Sequence, residues 1–299
     1  MTEQQEAVRA VFEPAPAKIN LTLHVRRRRD DGFHTIDSLV AFADFGDELE
    51  VACSSGFALD VRGPFASGLA GEADNLVEQA AVAVSRAAGL AAPEFSVRLD
   101  KKIPVAAGLG GGSADAAAMV RAGLRLARAR LGTSALMQIA AALGADVPCC
   151  LASTAQWISG VGHELAPAPA LPPVVAVLVN PGIEISTAAV FDGLGLAPGS
   201  DAEDAGEIVR PDRFQGVPDF IGYLREARND LEMPAVRLVP EIGDVQDALF
   251  AQNGCLLVRM SGSGATCFGL FANHDEAVGA AALIADARPS WWVQLCLLR

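Results

Sequence analysis

The chain has 299 residues, of which 51% are apolar and 20% charged, enough for two ordinary cores and too apolar for a disordered polymer. Its formal charge of -13 excludes a broad nucleic-acid or anionic-membrane surface, so any phosphate recognition must be local. No apolar run reaches the roughly 18 residues of a membrane span, and residues 1–11 lack the pattern of a signal or transit peptide, so a cytoplasmic protein is expected. Six cysteines (Cys53, Cys149, Cys150, Cys255, Cys267 and Cys296) show no C-x-x-C spacing and read as reduced thiols rather than a zinc site or disulfides.

Residues 18–25 alternate strictly, with Ile19, Leu21, Leu23 and Val25 on one side and Lys18, Asn20, Thr22 and His24 on the other. This predicts one half-buried strand whose polar face is either solvated or turned to a ligand. The run Arg26-Arg27-Arg28-Arg29, followed by Asp30 and Asp31, reads as a solvated turn. The turn Asp30-Asp31-Gly32-Phe33-His34 sets a ring beside an imidazole. Such a pair can stack on and hydrogen-bond a planar heterocycle, or be a core Phe with a bystander His. Residues 49–53 predict a strand, and Asp74-Asn75-Leu76 opens a helix with an Asp or Asn cap that runs to about Ala88.

Phe95, Val97, Leu99 and Lys101 alternate into the most distinctive stretch, Ile103-Pro104-Val105-Ala106-Ala107-Gly108-Leu109-Gly110-Gly111-Gly112-Ser113-Ala114-Asp115. Lys101 and Lys102 stand just upstream, where one or both could face a nucleotide. Gly108, Gly110, Gly111 and Gly112 remove the Cβ atoms that would hold a ligand off the backbone. With Ser113 as cap, an amphipathic helix follows on Val120, Leu124, Ala127 and Leu131, and Arg121, Arg125 and Arg128 mark its solvated face. The unpaired N–H groups of its first turn make a phosphate site the functional reading, against a plain tight turn. No Lys follows the last Gly as a P-loop requires, and the third Gly of a dinucleotide fold is missing.

A helix over residues 134–143 ends at Gly144, and Asp146 and Pro148 follow in a turn where an Asp ordinarily caps local N–H groups. The proline-rich residues 166–173 form the expected linker, and a domain boundary is placed there. Residues 174–180 then predict a strand, Ser186 the cap of a helix carrying Phe191, and residues 197–218 a mobile surface loop. Helices are expected near 219–227 and 241–251, strands at 255–260 and 265–271 around Ser261-Gly262-Ser263-Gly264, then a helix from Asp275 and a last strand over 291–298. The alternation implies an α+β sandwich on an antiparallel sheet.

Three stretches now stand in order: Pro16-Ala17-Lys18-Ile19-Asn20, the glycine loop through Asp115-Ala116-Ala117, and Ser261-Gly262-Ser263-Gly264-Ala265. Together they resemble the signature motifs of the GHMP kinases. The Asp31-Gly32-Phe33-His34 turn, Gly144-Ala145-Asp146-Val147-Pro148 and Asn229-Asp230-Leu231 narrow the likeness to members acting on a cytidine diphosphate-linked methylerythritol in non-mevalonate isoprenoid synthesis. The resemblance implies a two-domain GHMP kinase fold, with a ribosomal protein S5 domain 2-like N-terminal domain over 12–166 after an N-terminal tail over 1–11. A ferredoxin-like α/β sandwich would follow over 172–299.

It implies ATP and Mg2+ as cofactors. Gly108, Gly110, Gly111, Gly112 and Ser113 would hold the phosphates, with Ser113 beside the metal and Gly262, Ser263 and Gly264 closing over them. Asn75 and Lys101 match positions near the adenine; Asn20, Phe33, His34 and Phe191 match the substrate site; Lys18 and Asp146 match the catalytic pair, the carboxylate taking the hydroxyl proton. Asp115 is either a metal ligand or a complement to the helix dipole. Val105-Ala106-Ala107 departs from the Gly-rich entry of related kinases, and Ile185-Ser186-Thr187 from the usual approach to Phe191. Two alternatives stay open, a mevalonate- or homoserine-type kinase and a non-catalytic nucleotide-binding regulator. A small-molecule substrate is expected, with no nucleic acid and no membrane, in a monomer or weak homodimer.

Overall fold

The computed structural model describes residues 10–69, 75–202 and 208–299, so the expected helix-capping role of Asp74 and part of the 197–218 loop lie outside the described residues. The chain forms two compact units, one built from residues up to Pro16, Gly46–Val105 and Gly111–Ala152, the other from Ala17–Phe45, Ala106–Gly110 and Ser153–Arg299.

In the first unit, the second half of β3 (His34–Cys53) pairs antiparallel with β5 (Phe95–Asp100), and β4 (Ala58–Arg62) pairs parallel with β5. Of β3, only residues 49–53 were expected as strand. Before them, residues 39–43 form a continuous apolar run, which carries no period of two. The expected helix after Asn75 is α1 (Leu76–Ala87), with the Asn75 side chain accepting the Val77 N–H at 2.9 Å.

Helix α2 (Gly111–Leu126) starts two residues before the expected cap, so Ser113 sits inside its first turn, and Ala127 and Leu131 fall beyond its end. Its buried positions are mostly Ala and Gly, and a Cβ at Gly123 would come 3.0 Å from Val84 Cγ1, so small residues let α1 and α2 approach closely. Arg121 was expected on a solvated face. It instead donates to Glu13, Pro14 O and Cys150 O, pinning residues 13–14 to residue 150. Those partners are remote in sequence, which is why helical periodicity alone misplaced it. Helix α3 (Thr133–Leu143) matches expectation, and α4 (Val147–Ala152) follows it, unforeseen because it spans little more than one turn.

In the second unit, a four-stranded antiparallel sheet runs β11 (Trp292–Leu297), β8 (Val175–Asn180), β10 (Cys267–Phe271), β9 (Cys255–Met260). Helices α8 (Glu241–Phe250) and α9 (His274–Ala287) cover it, and Ile242, Val245, Leu249, Ala277, Ala280 and Ile284 join Val177, Val179 and Phe271 in one core. Helices α6 (Val217–Glu226) and α7 (Glu232–Leu238) precede them, the second unforeseen. The same unit holds β2 (His24–Arg28), the first half of β3, β6 (Gln156–Gly160) and β7 (Glu164–Pro167) as an antiparallel ribbon.

The single strand expected over 18–25 is divided between the end of β1 (Ala10–Asn20) and β2. Its polar side is not solvated: Lys18, Asn20, Thr22 and His24 are all buried. The arginine run differs as well. Arg26, Arg27 and Arg28 belong to β2, and residues 199–202 pair onto it through Arg28 N–H to Ser200 O (2.9 Å), Gly199 N–H to Arg28 O (2.8 Å) and Ala202 N–H to Arg26 O (2.8 Å). That part of the expected mobile loop is therefore a paired strand edge.

Candidate active site

Within the second unit the two glycine loops lie against each other. Gly108 has φ +74, and a Cβ there would come 2.4 Å from Ser261 O and 2.8 Å from Gly264 O. Ser261 Oγ donates to Gly108 O at 3.0 Å and accepts the Asn20 N–H at 3.1 Å, while Thr266 N–H donates to Ala107 O at 3.2 Å. Asn229 Nδ2 reaches both Met260 O and Gly262 O at 2.8 Å, so part of the Asn229-Asp230-Leu231 motif fastens the second loop. Ala106, in the departing loop entry, takes φ 52, a left-handed conformation costing a non-glycine residue about 1–2 kcal/mol.

Lys18 N–H donates to Leu109 O at 2.8 Å, and a Cβ at Gly110 would sit 3.3 Å from Lys18 Cβ, so the lysine stem packs on the loop where only glycine fits. Asn20 Nδ2 donates to Ser38 Oγ at 2.8 Å. Ser263 shares a 2.8 Å hydroxyl contact with Thr187, which sequence reasoning did not single out. Replacing Gly108 with Ala should strain the loop and set a methyl against two carbonyl oxygens. We expect nucleotide affinity to fall by about an order of magnitude, roughly 1.4 kcal/mol, measurable by calorimetric titration with ATP.

The Asp31 turn lies in the same unit. Asp31 Oδ1 accepts from the Phe33 N–H at 3.2 Å and Gly32 takes φ +87, closing the β2–β3 hairpin with Phe33 outward and His34 inward. Phe33 stays 65% exposed, leaving a free aromatic face. His34 stacks on Phe191 with centroids 4.8 Å apart and planes 28° from parallel. Phe191 lies on α5 (Thr187–Asp192), capped by Ser186 as expected. His34 Nε2 is buried without a hydrogen-bond partner in the protein. Burial lowers the His34 pKa, the Arg28 cation lowers it further and Asp192 opposes both, so the imidazole is neutral at pH 7 with one donor and one acceptor nitrogen.

The first unit carries the remaining candidates. Gly111, Gly112 and Ser113 form the first turn of α2, whose free N–H groups and positive dipole end suit an anion. A Cβ at Gly112 would meet Leu76 Cδ1 at 3.7 Å, which places the starts of α1 and α2, and with them Asn75, side by side. Asp146 stands between α3 and α4, half-buried, with its carbonyl accepting from Cys149 Sγ at 3.1 Å. A groove of about 970 Å³ runs between α1 and α3, with Asn75 and Glu78 at one end and Ala87 and Leu143 among its lining.

The Lys101 side chain points inward. Its ammonium is held by Asp47 at 2.5 Å and Asp115 at 2.7 Å, and all three side chains are at most 3% exposed. Asp47 Oδ1 also accepts the N–H groups of Lys102 (2.5 Å) and Ile103 (2.8 Å). A Cβ at Gly111 would lie 3.0 Å from Lys101 Nζ, so this triad sits directly under the start of α2. Burial pushes the Asp115 carboxyl up to about 8, against the pull of Lys101 and helped by Asp47. Lys101 is raised because its two carboxylate partners outweigh burial. Asp47 escaped sequence reasoning, since nothing local ties a carboxylate in β3 to a lysine 54 positions on.

Residues 75–154 match the GHMP kinases N terminal domain and residues 219–285 the GHMP kinases C terminal. A 4-diphosphocytidyl-2-C-methyl-D-erythritol kinase of Paracoccus denitrificans is 49% identical over 287 residues, covering 94% of both chains. One of Parvibaculum lavamentivorans is 47% identical over 285 residues, covering 95% of this chain and 97% of that one. A crystal structure of 4-(cytidine 5'-diphospho)-2C-methyl-D-erythritol kinase superposes with TM-score 0.73 at 34% identity, over 96% of this chain and 99% of that one. A homoserine kinase from Cytophaga hutchinsonii gives TM-score 0.69 at 18% identity over 99% and 96%, a likeness of fold alone. The expected α+β two-domain GHMP fold is thereby established, and the chain belongs to the GHMP kinases, in the 4-diphosphocytidyl-2-C-methyl-D-erythritol kinase family.

Proposed function

We propose that this chain transfers the γ-phosphoryl group of ATP to the 2-hydroxyl of 4-diphosphocytidyl-2-C-methyl-D-erythritol, giving the 2-phosphate and ADP in non-mevalonate isoprenoid precursor synthesis. The observation that carries the substrate assignment is the hairpin that sets an exposed Phe33 next to a neutral His34 with an unpartnered nitrogen, backed by Phe191. A cytosine offers a flat face for the ring and donor and acceptor edges for the imidazole, whereas mevalonate and homoserine offer no base.

In this reading Gly108, Gly110, Gly111, Gly112 and Ser113 hold the ATP phosphates by backbone N–H groups and the α2 dipole, with Gly262, Ser263 and Gly264 behind Gly108. Asn75 faces adenine, while Lys101 has its ammonium committed to Asp47 and Asp115 and its backbone N–H to Arg62 O, so it supports the site from beneath α2. Lys18 supplies positive charge to the transferring group, Asn20 helps to orient the substrate, and Asp146 accepts the proton of the attacking hydroxyl.

Among the described residues no cluster of three or more His, Cys, Asp or Glu could hold a metal, and Asp115 is committed to Lys101. A nucleotide-borne Mg2+ fits this donor set, since that ion keeps waters and phosphate oxygens and takes few protein ligands; Ser113 would be one. It would neutralise phosphate charge as the transfer proceeds.

The proposal includes an ATP-binding domain over 12–166 and a substrate domain over 172–299, with the two family profiles falling on either side of residues 166–173. It includes a cytoplasmic location and a monomer or weak homodimer; no described helix is long and apolar enough to cross a membrane.

The test is ADP release with Mg-ATP, comparing the cytidine compound with mevalonate, homoserine and galactose. Turnover with the cytidine compound alone is expected, and the pair Phe33→Ala with His34→Ala should raise its KM about tenfold or more. Turnover of another alcohol would move the substrate assignment within the superfamily. Silence with ATP still bound would favour the regulator.

A further inference from the structure

We propose that Arg28 is a positioning residue for base recognition, whose guanidinium pins the end of α5 and so holds Phe191 against His34. The inference rests on the reading of Phe33, His34 and Phe191 as the cytosine site and goes beyond it by naming what sets their geometry.

Helix α5 has six residues, too few to be stable alone, so its placement must come from its ends. Ser186 caps the start. At the other end Arg28 Nη2 reaches Asp192 Oδ1 at 3.2 Å and Nη1 reaches Leu196 O at 3.0 Å, so one planar fork spans the residue after Phe191 and the turn that follows.

The Arg28 backbone is itself fixed. It stands directly across the β2–β3 ladder from His34, and on its other side it pairs with Gly199 and Ser200. A single residue thus ties the strand position opposite the imidazole to the helix that carries the stacking ring. The same cation favours a neutral His34, as a reader of both donor and acceptor edges requires.

Stability does not explain the arrangement. Asp192 is 67% exposed, and a pair so hydrated contributes little to folding. A role in setting Phe191 predicts a change in substrate KM without a matching change in melting temperature.

The experiment measures kcat, both KM values and Tm for Arg28→Gln, Arg28→Lys, Phe191→Ala and the double variant Arg28→Gln/Phe191→Ala. Arg28→Gln should raise the KM for the cytidine substrate about fivefold, with ATP KM and kcat within about twofold, and Arg28→Lys should restore part of the loss. Phe191→Ala should raise the same KM about tenfold or more, and in that background Arg28→Gln should add less than about twofold. Asp192→Asn cuts the clamp from its other side, should shift KM in the same direction, and decides the matter if Arg28→Gln does not fold. An unchanged KM in Arg28→Gln beside an impaired Phe191→Ala overturns the clamp and leaves the base site standing. Full additivity in the double variant also overturns it. An unchanged KM in Phe191→Ala overturns the base site, and the clamp with it.

Discussion

Replacing Asp146 with Asn is expected to lower kcat by about 10²–10⁴-fold while leaving ATP affinity close to that of the parent chain, the signature of a lost general base. The position suits a clean test. Gly144 ends α3, Val147 N–H returns to Gly144 O at 3.1 Å, and Val147, Pro148, Cys149 and Cys150 are buried at the start of α4, so the backbone around Asp146 is held from both sides. Asn keeps the size of the side chain and one carbonyl acceptor, and removes the charge and the basicity. Single-turnover ADP formation, with nucleotide titration alongside, separates chemistry from binding. Near-full turnover would assign Asp146 to the local capping role its turn also allows. Loss of nucleotide binding along with turnover would mean that the substitution had disturbed the fold around α4.

The sequence disclosed those parts of the molecule whose determinants are local. The glycine loop leading into α2, the Asn75 and Ser186 caps, and the strands β5, β8, β9, β10 and β11 each announce themselves within a window of about ten residues through turn chemistry or period. Elements whose partners are remote stayed hidden. Lys101 on an alternating strand looks like a solvent or ligand contact until Asp47 and Asp115 are brought to it from elsewhere in the chain. Arg121 carries the helical spacing of a surface residue and is instead a multiple donor to Glu13, Pro14 and Cys150. The same limit explains the four arginines. A charge run reads as solvated because no local pattern says that a second strand edge, residues 199–202, will lie along it. Ser261 was named with the second glycine loop, whereas its hydroxyl bridge from Gly108 O to the Asn20 N–H, and the contact of Thr187 with Ser263, join positions far apart in the chain that no local pattern links.

Replacing Lys101 with Met should be the most destabilising single change among the candidate residues, whereas Asp115→Asn should be mild. Removing one partner from a buried charge cluster typically costs about 3–5 kcal/mol, because the remaining charge loses its compensation without regaining water. Here the Asp47 carboxylate and the Asp115 carboxyl would remain, at 0% and 2% side-chain exposure. Asp47 keeps two backbone N–H donors, from Lys102 and Ile103, but Asp115 Oδ1 already lacks a partner and Oδ2 would lose its own. The expected fall in Tm is on the order of 10 °C. Asp115→Asn leaves an acceptor for the Lys101 ammonium and replaces a carboxyl whose raised pKa keeps it protonated at neutral pH with a neutral amide of the same size, so its cost should stay near about 1 kcal/mol.

The pH dependence gives an independent reading of the same triad. The Asp115 pKa is raised, so above the usual carboxylate range near 3.8 the folded chain holds a proton that the unfolded chain releases. Its contribution is present below that range and is lost as pH rises through about 8. Lys101 is raised as well, so its contribution is complete below 10.5 and declines only above it. Between pH 5 and pH 9 the parent should therefore lose stability relative to Asp115→Asn, so the gap between the two urea midpoints should narrow toward alkaline pH. A parent curve parallel to that of Asp115→Asn across this window would mean that Asp115 is fully ionised in the fold. The triad would then be held by Coulomb attraction alone, and Asp115→Asn would cost as much as any other break in a buried pair.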